Sequence, residues 1–176
     1  MTSKISIRKA APGDEYALGA VGIGTFLESF VESIPGPDLV VHCHKQHSVE
    51  MYRGYLTADD PRYACWIAEY AATGAPIGYA VTCAPDLPVE HDPNDIELKR
   101  IYVFSKYHGT GAGRLLNDAC DAYGRVLNAP NILLGTYEEN HRAIAFYKRE
   151  GYAKIGDRQF QVGDKLFDDI VMAKVL

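Results

Sequence analysis

Residues 97–116 read ELKRIYVFSKYHGTGAGRLL. A β-branched and aromatic run, Ile101, Tyr102, Val103 and Phe104, enters a loop that holds Gly109, Gly111 and Gly113. Arg114 and an apolar helical pattern follow at once. Strand, glycine loop and helix in that order make a recurrent anion site. Glycine lets the backbone come close to the anion, and the first amides of a helix have no internal partner and can donate to it. Spacing excludes two common phosphate loops. A G-x-G-x-x-G fingerprint begun at Gly109 needs its third glycine where Arg114 stands, and begun at Gly111 it needs one where Leu116 stands. A P-loop needs Gly-Lys followed by Ser or Thr, and no such triplet occurs here. What remains is a polar residue, two spacers and G-x-G, carried by His108, Gly109, Thr110, Gly111, Ala112 and Gly113.

Outward from this loop the pattern is that of alternating strands and helices. Ile5 and Ile7 alternate with polar neighbours as in a first strand, and Asp14 after Pro12-Gly13 can cap a helix. Leu18, Val21, Phe26, Leu27 and Phe30 give that helix an apolar face, but Gly19, Gly22 and Gly24 predict a broken or mobile segment that Pro35-Gly36-Pro37 ends. A second helix is expected over residues 48–56. Residues 62–71 and 77–83 read as a hairpin around Thr73-Gly74-Ala75-Pro76. After a proline- and acid-rich loop come a strand over 96–104, the glycine loop, a helix to 127, a short strand over 132–136 and a helix over 140–150. Residues 152–161 and 169–175 read as a closing strand pair. The order βααββ-βαβ-αββ predicts a single α/β domain spanning residues 1–176, with a mixed, mostly antiparallel sheet flanked by helices.

A second motif lies about 27 residues beyond the first. Asn140, Ala143, Phe146, Tyr147, Gly151 and Tyr152 fall in the pattern N-x-x-A-x-x-F-Y-x-x-x-G-Y. Ala143 and Phe146 can share a core face, with the Phe146 ring buried. Asn140 is placed to cap the helix or bond a ligand, and Tyr147, nearly two turns on, lies close to the same face. The two motifs together resemble the GNAT (Gcn5-related N-acetyltransferase) family, whose pyrophosphate loop is Q/R-x-x-G-x-G/A; His108 departs from its usual Gln or Arg. The resemblance is strong over residues 96–152. Within the family, Thr25-Phe26 to Phe30, ELKRIYV and the YKREGY helix end look similar to bacterial spermidine/spermine acetyltransferases.

The resemblance implies acetyl-CoA as co-substrate, held between two parallel strands that splay apart. Its pantetheine arm would pair with the main chain of Ile101, Tyr102 and Val103. Its pyrophosphate would rest on amides of Gly109, Thr110, Gly111, Ala112 and Gly113, helped by the helix N-terminus and Arg114, with His108 contributing a backbone group at the loop entry and Asn140 and Tyr147 nearby. Glu97 matches a family base that often acts through water, and Tyr147 matches the tyrosine that protonates the thiolate. The strand amide near Val103 would stabilise the carbonyl oxygen. Each has a plain alternative: Glu97 a strand-end carboxylate, Arg114 a solvated first-turn arginine, Tyr147 a packing residue. The implied reaction moves an acetyl group to a primary amine, with a polyamine as leading acceptor. A peptide or lysine amine is the alternative, and a non-catalytic acyl-CoA-binding module the alternative of another class.

Composition constrains the rest. The chain has 176 residues and a formal charge of −5, which argues against nucleic acid or an anionic membrane as partner. Four cysteines without a C-x-x-C pair, and no apolar leader after Met1, read as a cytoplasmic protein with reduced thiols. His42, Cys43, His44 and His47 suggest a metal cluster, but no second group completes it, so no metal is expected and a polar loop beside the substrate entrance is the reading. Phe26, Glu28 and Glu32 are candidate acceptor residues; Glu28 and Glu32, four apart, share a helical face that either receives an ammonium or is simply solvated. Strand edges at the C-terminus make a homodimer plausible.

Overall fold

Seven strands form one sheet in the computed structural model, which describes residues 4–176. In chain order they are β1 (Ile5–Lys9), β2 (Ala64–Tyr70), β3 (Ala75–Cys83), β4 (Ile96–Val103), β5 (Asn131–Tyr137), β6 (Ala153–Val162) and β7 (Lys165–Val175). The spatial order is β1-β2-β3-β4-β5-β7-β6, so β1 and β6 are the edges. The helices are α1 (Glu15–Phe30), α2 (Gly36–Gln46), α3 (Val49–Leu56), α4 (Ala112–Val126) and α5 (His141–Arg149).

All neighbouring strands are antiparallel except β4 and β5, which run parallel and pair only at Ile96 with Ile132 and Glu97 with Leu133. Beyond those two pairs they part. At the same place β4 carries a bulge: Val81 faces Arg100 while Thr82 faces Leu98, leaving Lys99 as the extra residue. A bulge bends and twists its strand, so the bulge and the lost pairing together open the middle of the sheet. One face of the sheet is covered by α4 through Leu98, Ala112, Leu116, Cys120, Ile132 and Leu134. On the other, α1 and α3 pack Leu18, Val21 and Tyr52 onto Ile67, Tyr79 and Val81. There α2 and the β6–β7 hairpin add a third cluster with Phe26, Ile34, Leu39, Cys43, Val162 and Phe167.

Three expectations for the N-terminal half are corrected. The first helix is unbroken over its 16 residues. Its glycines serve close approach rather than a break: a Cβ at Gly22 would stand 2.6 Å from His47 Nδ1, and one at Gly24 2.8 Å from the Phe104 ring. Asp14 occupies the N-cap position without capping; its carboxylate instead accepts from Arg8 at 2.7 and 2.8 Å and from the Ala11 amide. Finally, Pro35-Gly36-Pro37 begins a helix as well as ending a segment. Pro35 is the N-cap of α2 and Pro37 lies in its first turn, where a missing N–H breaks no bond. The histidine cluster therefore lies on α2 and its C-cap, His47, not in a loop.

Candidate active site

The opening between β4 and β5 is the floor of a groove of about 910 Å³. Its first half is built from backbone. Gly109 and Gly111 have φ of +78° and +92°, in the left-handed region that favours glycine, and Gly111 is the N-cap of α4. This turn presents the first amides of α4, which have no intrahelical partner, toward the groove. Arg114 is exposed, pairs loosely with Asp118 at 3.8 Å, and lines the same end. The His108 imidazole takes no part in an anion cradle. Its Nε2 bonds the Val103 carbonyl at 2.7 Å and ties the loop to the end of β4.

Along β4 the main chain divides by parity. Phe104 N donates to Ile77 O, so the hydrogen-bonded pairs with β3 fall at residues 104, 102 and 100. The amides and carbonyls of Ile101 and Val103 therefore face the open side, whereas the Tyr102 main chain is spent in the ladder with β3. Of the three residues expected to pair with an arm of cofactor, two present free edges, and the Val103 carbonyl is already taken by His108. These features fit an added strand ending in a diphosphate. Ile101, Val103, Gly109, Gly111, Gly113 and Arg114 would hold such a group.

From α5 come Asn140, Ala143, Phe146 and Tyr147. Asn140 Oδ1 accepts from Ala143 N at 3.1 Å, the capping role its position predicts. Phe146 is only half-buried and lines the groove near Gly113, while Tyr147 is the residue turned into the core, 8 % exposed and edge-on to Phe146 and Tyr152. The expectation that Phe146 buries its ring is thus corrected in favour of Tyr147. Burial, with Tyr102 adding to it, pushes the Tyr147 phenol above its ordinary value, so it stays protonated at neutral pH.

The second half of the groove is built from side chains. Phe26 and Phe30 of α1, His42, Gln46 and His47 of α2, and Phe160 and Phe167 of the hairpin surround it. Glu28 also lines it, but its carboxylate is engaged by the Ser105 amide at 2.9 Å and hydroxyl at 3.0 Å. Glu32 lies beyond the last residue of α1, exposed and outside the groove, so the two glutamates do not share a helical face. Glu97 is 1 % exposed and does not line the groove: its oxygens hold the Asp86 amide at 2.8 Å and the Lys99 ammonium at 3.2 Å.

Several groove residues escape a reading of the sequence. Arg158 pairs with Asp169 at 3.0 Å and lies across β5, where a Cβ at Gly135 would collide with its guanidinium. Burial raises the Asp169 carboxyl above its ordinary value, against the pull of Arg158. Arg100 donates to Gln46 Oε1 at 3.1 Å and stands over the rings of Tyr52 and Tyr55, and its buried Nη1 has no partner. The one hint in the sequence is a basic pair, Lys99-Arg100, in the middle of the strand IELKRIYV. Among the described residues no three His, Cys, Asp or Glu side chains converge to hold a metal, and no helix is long and apolar enough to cross a membrane.

Comparison with known proteins agrees with this geometry. Residues 27–152 match the model of the acetyltransferase (GNAT) family. An uncharacterised N-acetyltransferase of Mycobacterium tuberculosis is 30% identical over 163 residues, covering 93% of this chain and 98% of the relative. The fold matches a PaiA N-acetyltransferase from Thermoplasma acidophilum in complex with coenzyme A, at a TM-score of 0.77 and 17% identity over 98% of this chain and 99% of that one. It also matches a ribosomal-protein-alanine N-acetyltransferase from Brucella melitensis, at a TM-score of 0.70 and 25% identity over 97% and 99%. With the family model spanning most of the chain and the splayed strands, glycine loop and capped helix all in place, this chain belongs to the GNAT family of N-acetyltransferases.

Proposed function

We propose that this enzyme transfers the acetyl group of acetyl-CoA to a primary amine of a small molecule, by direct attack with both substrates in the groove. The observation that carries the reading is the two-pair contact between β4 and β5, which leaves a backbone-lined end and an aromatic end in one continuous groove. Acetyl-CoA supplies the activated acyl group. Ile101 and Val103 bind its arm through their main chain, with the Val103 N–H on the open side as donor to the carbonyl oxygen. The amides of Gly109, Gly111, Gly113 and Arg114 take the pyrophosphate, the Thr110 amide being engaged by the Tyr107 carbonyl. Tyr147 lies on α5, along the backbone-lined end, as a phenol held protonated by burial, placed to hydrogen-bond a departing thiolate and pass it a proton as the negative charge develops.

Glu97 supports this site without facing it. Its carboxylate anchors Lys99, the bulge residue, which does line the groove. We assign it the part of a positioning residue. A polyamine is the finer candidate acceptor, yet Glu28 is held by Ser105 and Glu32 lies outside the groove, so a monoamine fits the acceptor end better. A peptide α-amine is the second reading, favoured by the likeness to the Brucella ribosomal-protein-alanine enzyme. The four buried free thiols suit a cytoplasmic site of action.

The test is thiol release from acetyl-CoA with a panel of acceptors: phenylethylamine, phenylalaninamide, spermidine and an alanyl peptide. Release above hydrolysis with a small amine supports the reading; release with the alanyl peptide alone favours the second. Tight CoA binding by calorimetry without release from the whole panel overturns it in favour of a non-catalytic acyl-CoA-binding module.

A further inference from the structure

We infer that His42 takes the proton from the incoming ammonium, an assignment that rests on the acetyl-transfer reading above. Most of the other titratable groups along the groove are already engaged. Glu28 is bound to Ser105, Asp169 to Arg158, Glu139 to the Tyr137 hydroxyl and His108 to the Val103 carbonyl. His47 is 2 % exposed with Nδ1 on the Tyr52 hydroxyl, and Glu150 is the C-cap of α5 in the cofactor half. His42 is different. Among the described residues neither of its ring nitrogens has a hydrogen-bond partner, and it is held by its faces and edge alone. It stacks on Phe26 at 4.5 Å and 18° and meets Phe160 edge-on at 6.0 Å and His47 at 6.3 Å. Aromatic contacts fix the plane of the ring and leave its nitrogens for a ligand.

The charges around it favour the neutral, proton-accepting ring. The groups facing it are the uncharged Phe26 of α1, His47 at the end of its own helix, Arg100 of β4, and Phe160 of β6. Beyond Phe160 stands Arg158, neutralised by Asp169. Arg100 alone is an uncompensated cation: no carboxylate of the described residues lies within ion-pair distance, and Nη1 is buried without a partner. Burial first, and Arg100 next, hold the His42 imidazole below its ordinary value, so it is neutral at physiological pH. The same field acts on the substrate. An ammonium that enters beside Arg100 is repelled by the guanidinium, which favours its free-amine form.

The step balances as follows. One proton passes from the ammonium to a ring nitrogen of His42, leaving a lone pair on the amine. That pair forms the new C–N bond to the acetyl carbon, and the C–S bond breaks with its electrons on sulfur. Tyr147 donates a proton to the sulfur and regains one from solvent. The remaining extra proton on nitrogen and the proton on His42 leave to solvent. Arg100 touches no reacting atom in this scheme and is a positioning residue that acts through the charge state of His42.

Two measurements test it. The first follows kcat against pH with the fastest acceptor of the panel. Wild type is expected to show an acid limb below about pH 6.5. His42→Gln should lose about 100-fold in kcat and the limb with it, while retaining CoA affinity; Arg100→Gln should move the limb to higher pH. The second is an NMR titration of the His42 imidazole in the wild-type and Arg100→Gln proteins, which needs no turnover. A midpoint below the ordinary histidine value that rises on removal of Arg100 supports the assignment. A His42 that titrates at or above that value overturns it, as does a His42→Gln enzyme with wild-type kcat and limb, or a limb abolished by Glu97→Gln instead. Failure of every acceptor speaks against acetyl transfer itself, and the titration then judges His42 separately.

Discussion

The two halves of the groove are made in different ways. The cofactor half is almost all backbone: two left-handed glycines, the first amides of α4, and the alternate main-chain groups of β4 left free where β5 departs. The acceptor half is almost all side chain, drawn from α1, α2, β4 and the β6–β7 hairpin, and it is drier, with His47 at 2 % and Phe26 at 4 % exposure. Backbone recognition tolerates change in side chains but demands particular φ values. Side-chain recognition does the reverse. One half can therefore stay constant while the other is refitted to a new amine.

The largest expected effect sharpens the contrast in dryness. Burial, then Arg100 and His42, hold the His47 imidazole down to about 3 from an ordinary 6.5. The unfolded chain takes up a proton there as pH falls through 6.5, while the folded one refuses it until about pH 3. Stability is thus lost as pH drops across that window and is untouched above it, by up to about 5 kcal/mol at the acid end. Urea denaturation at successive pH values should show that slope, and His47→Gln should flatten it. Loss of stability on the alkaline side instead would show that His47 is not the dry, neutral group described. Next in size, Tyr147→Phe removes the phenol donor from the backbone-lined end. Its kcat should fall about 100-fold, with CoA affinity by calorimetry retained. An unchanged kcat would reduce Tyr147 to a packing residue.

What the sequence reveals follows the same division. The glycine loop is visible because positive φ values such as those of Gly109 and Gly111 favour glycine over residues with a side chain. The capped helix from Asn140 is visible because capping is local, a bond from Ala143 N to a side chain three residues earlier. The acceptor half is assembled from contacts such as His42 with Phe160, more than a hundred residues apart, for which no local pattern exists. Proline and glycine misled the reading of that half for a physical reason. Pro35-Gly36-Pro37 looks like a break, but it also suits a helix start. Gly22 and Gly24 look like weak helix, but they are the gaps into which His47, Tyr52 and Phe104 fit. Glu97 shows the converse: a residue of the right type at the right spacing whose carboxylate is turned to Asp86 and Lys99.

Gly111→Val probes the backbone half. A β-branched residue at φ +92° is strained whatever the space around it. A cost of about 1–3 kcal/mol at this turn should weaken CoA binding roughly 10- to 100-fold. Gly113→Ala refines the result: its φ is ordinary and its Cβ would meet Phe146 at an unstrained 3.8 Å. The free protein should accept that methyl, so any loss of CoA affinity reports how closely the pyrophosphate approaches residue 113.

The smallest effect concerns the seam between the halves. Glu28 of α1 binds both the amide and the hydroxyl of Ser105, just past the end of β4. It ties the side-chain half of the groove to the end of β4. Glu28→Gln keeps the shape and removes the charge, so both charge-assisted bonds to Ser105 become neutral ones, at about 0.5–1 kcal/mol in this exposed setting. If the halves are separable, the acceptor KM should rise a few-fold while CoA affinity stays constant, because the amides of α4 and the free edge of β4 do not depend on Glu28. An equal loss in both would mean that α1 sets the course of β4 through Ser105. The acceptor side would then govern how the cofactor lies, and the two halves would be a single mechanical unit.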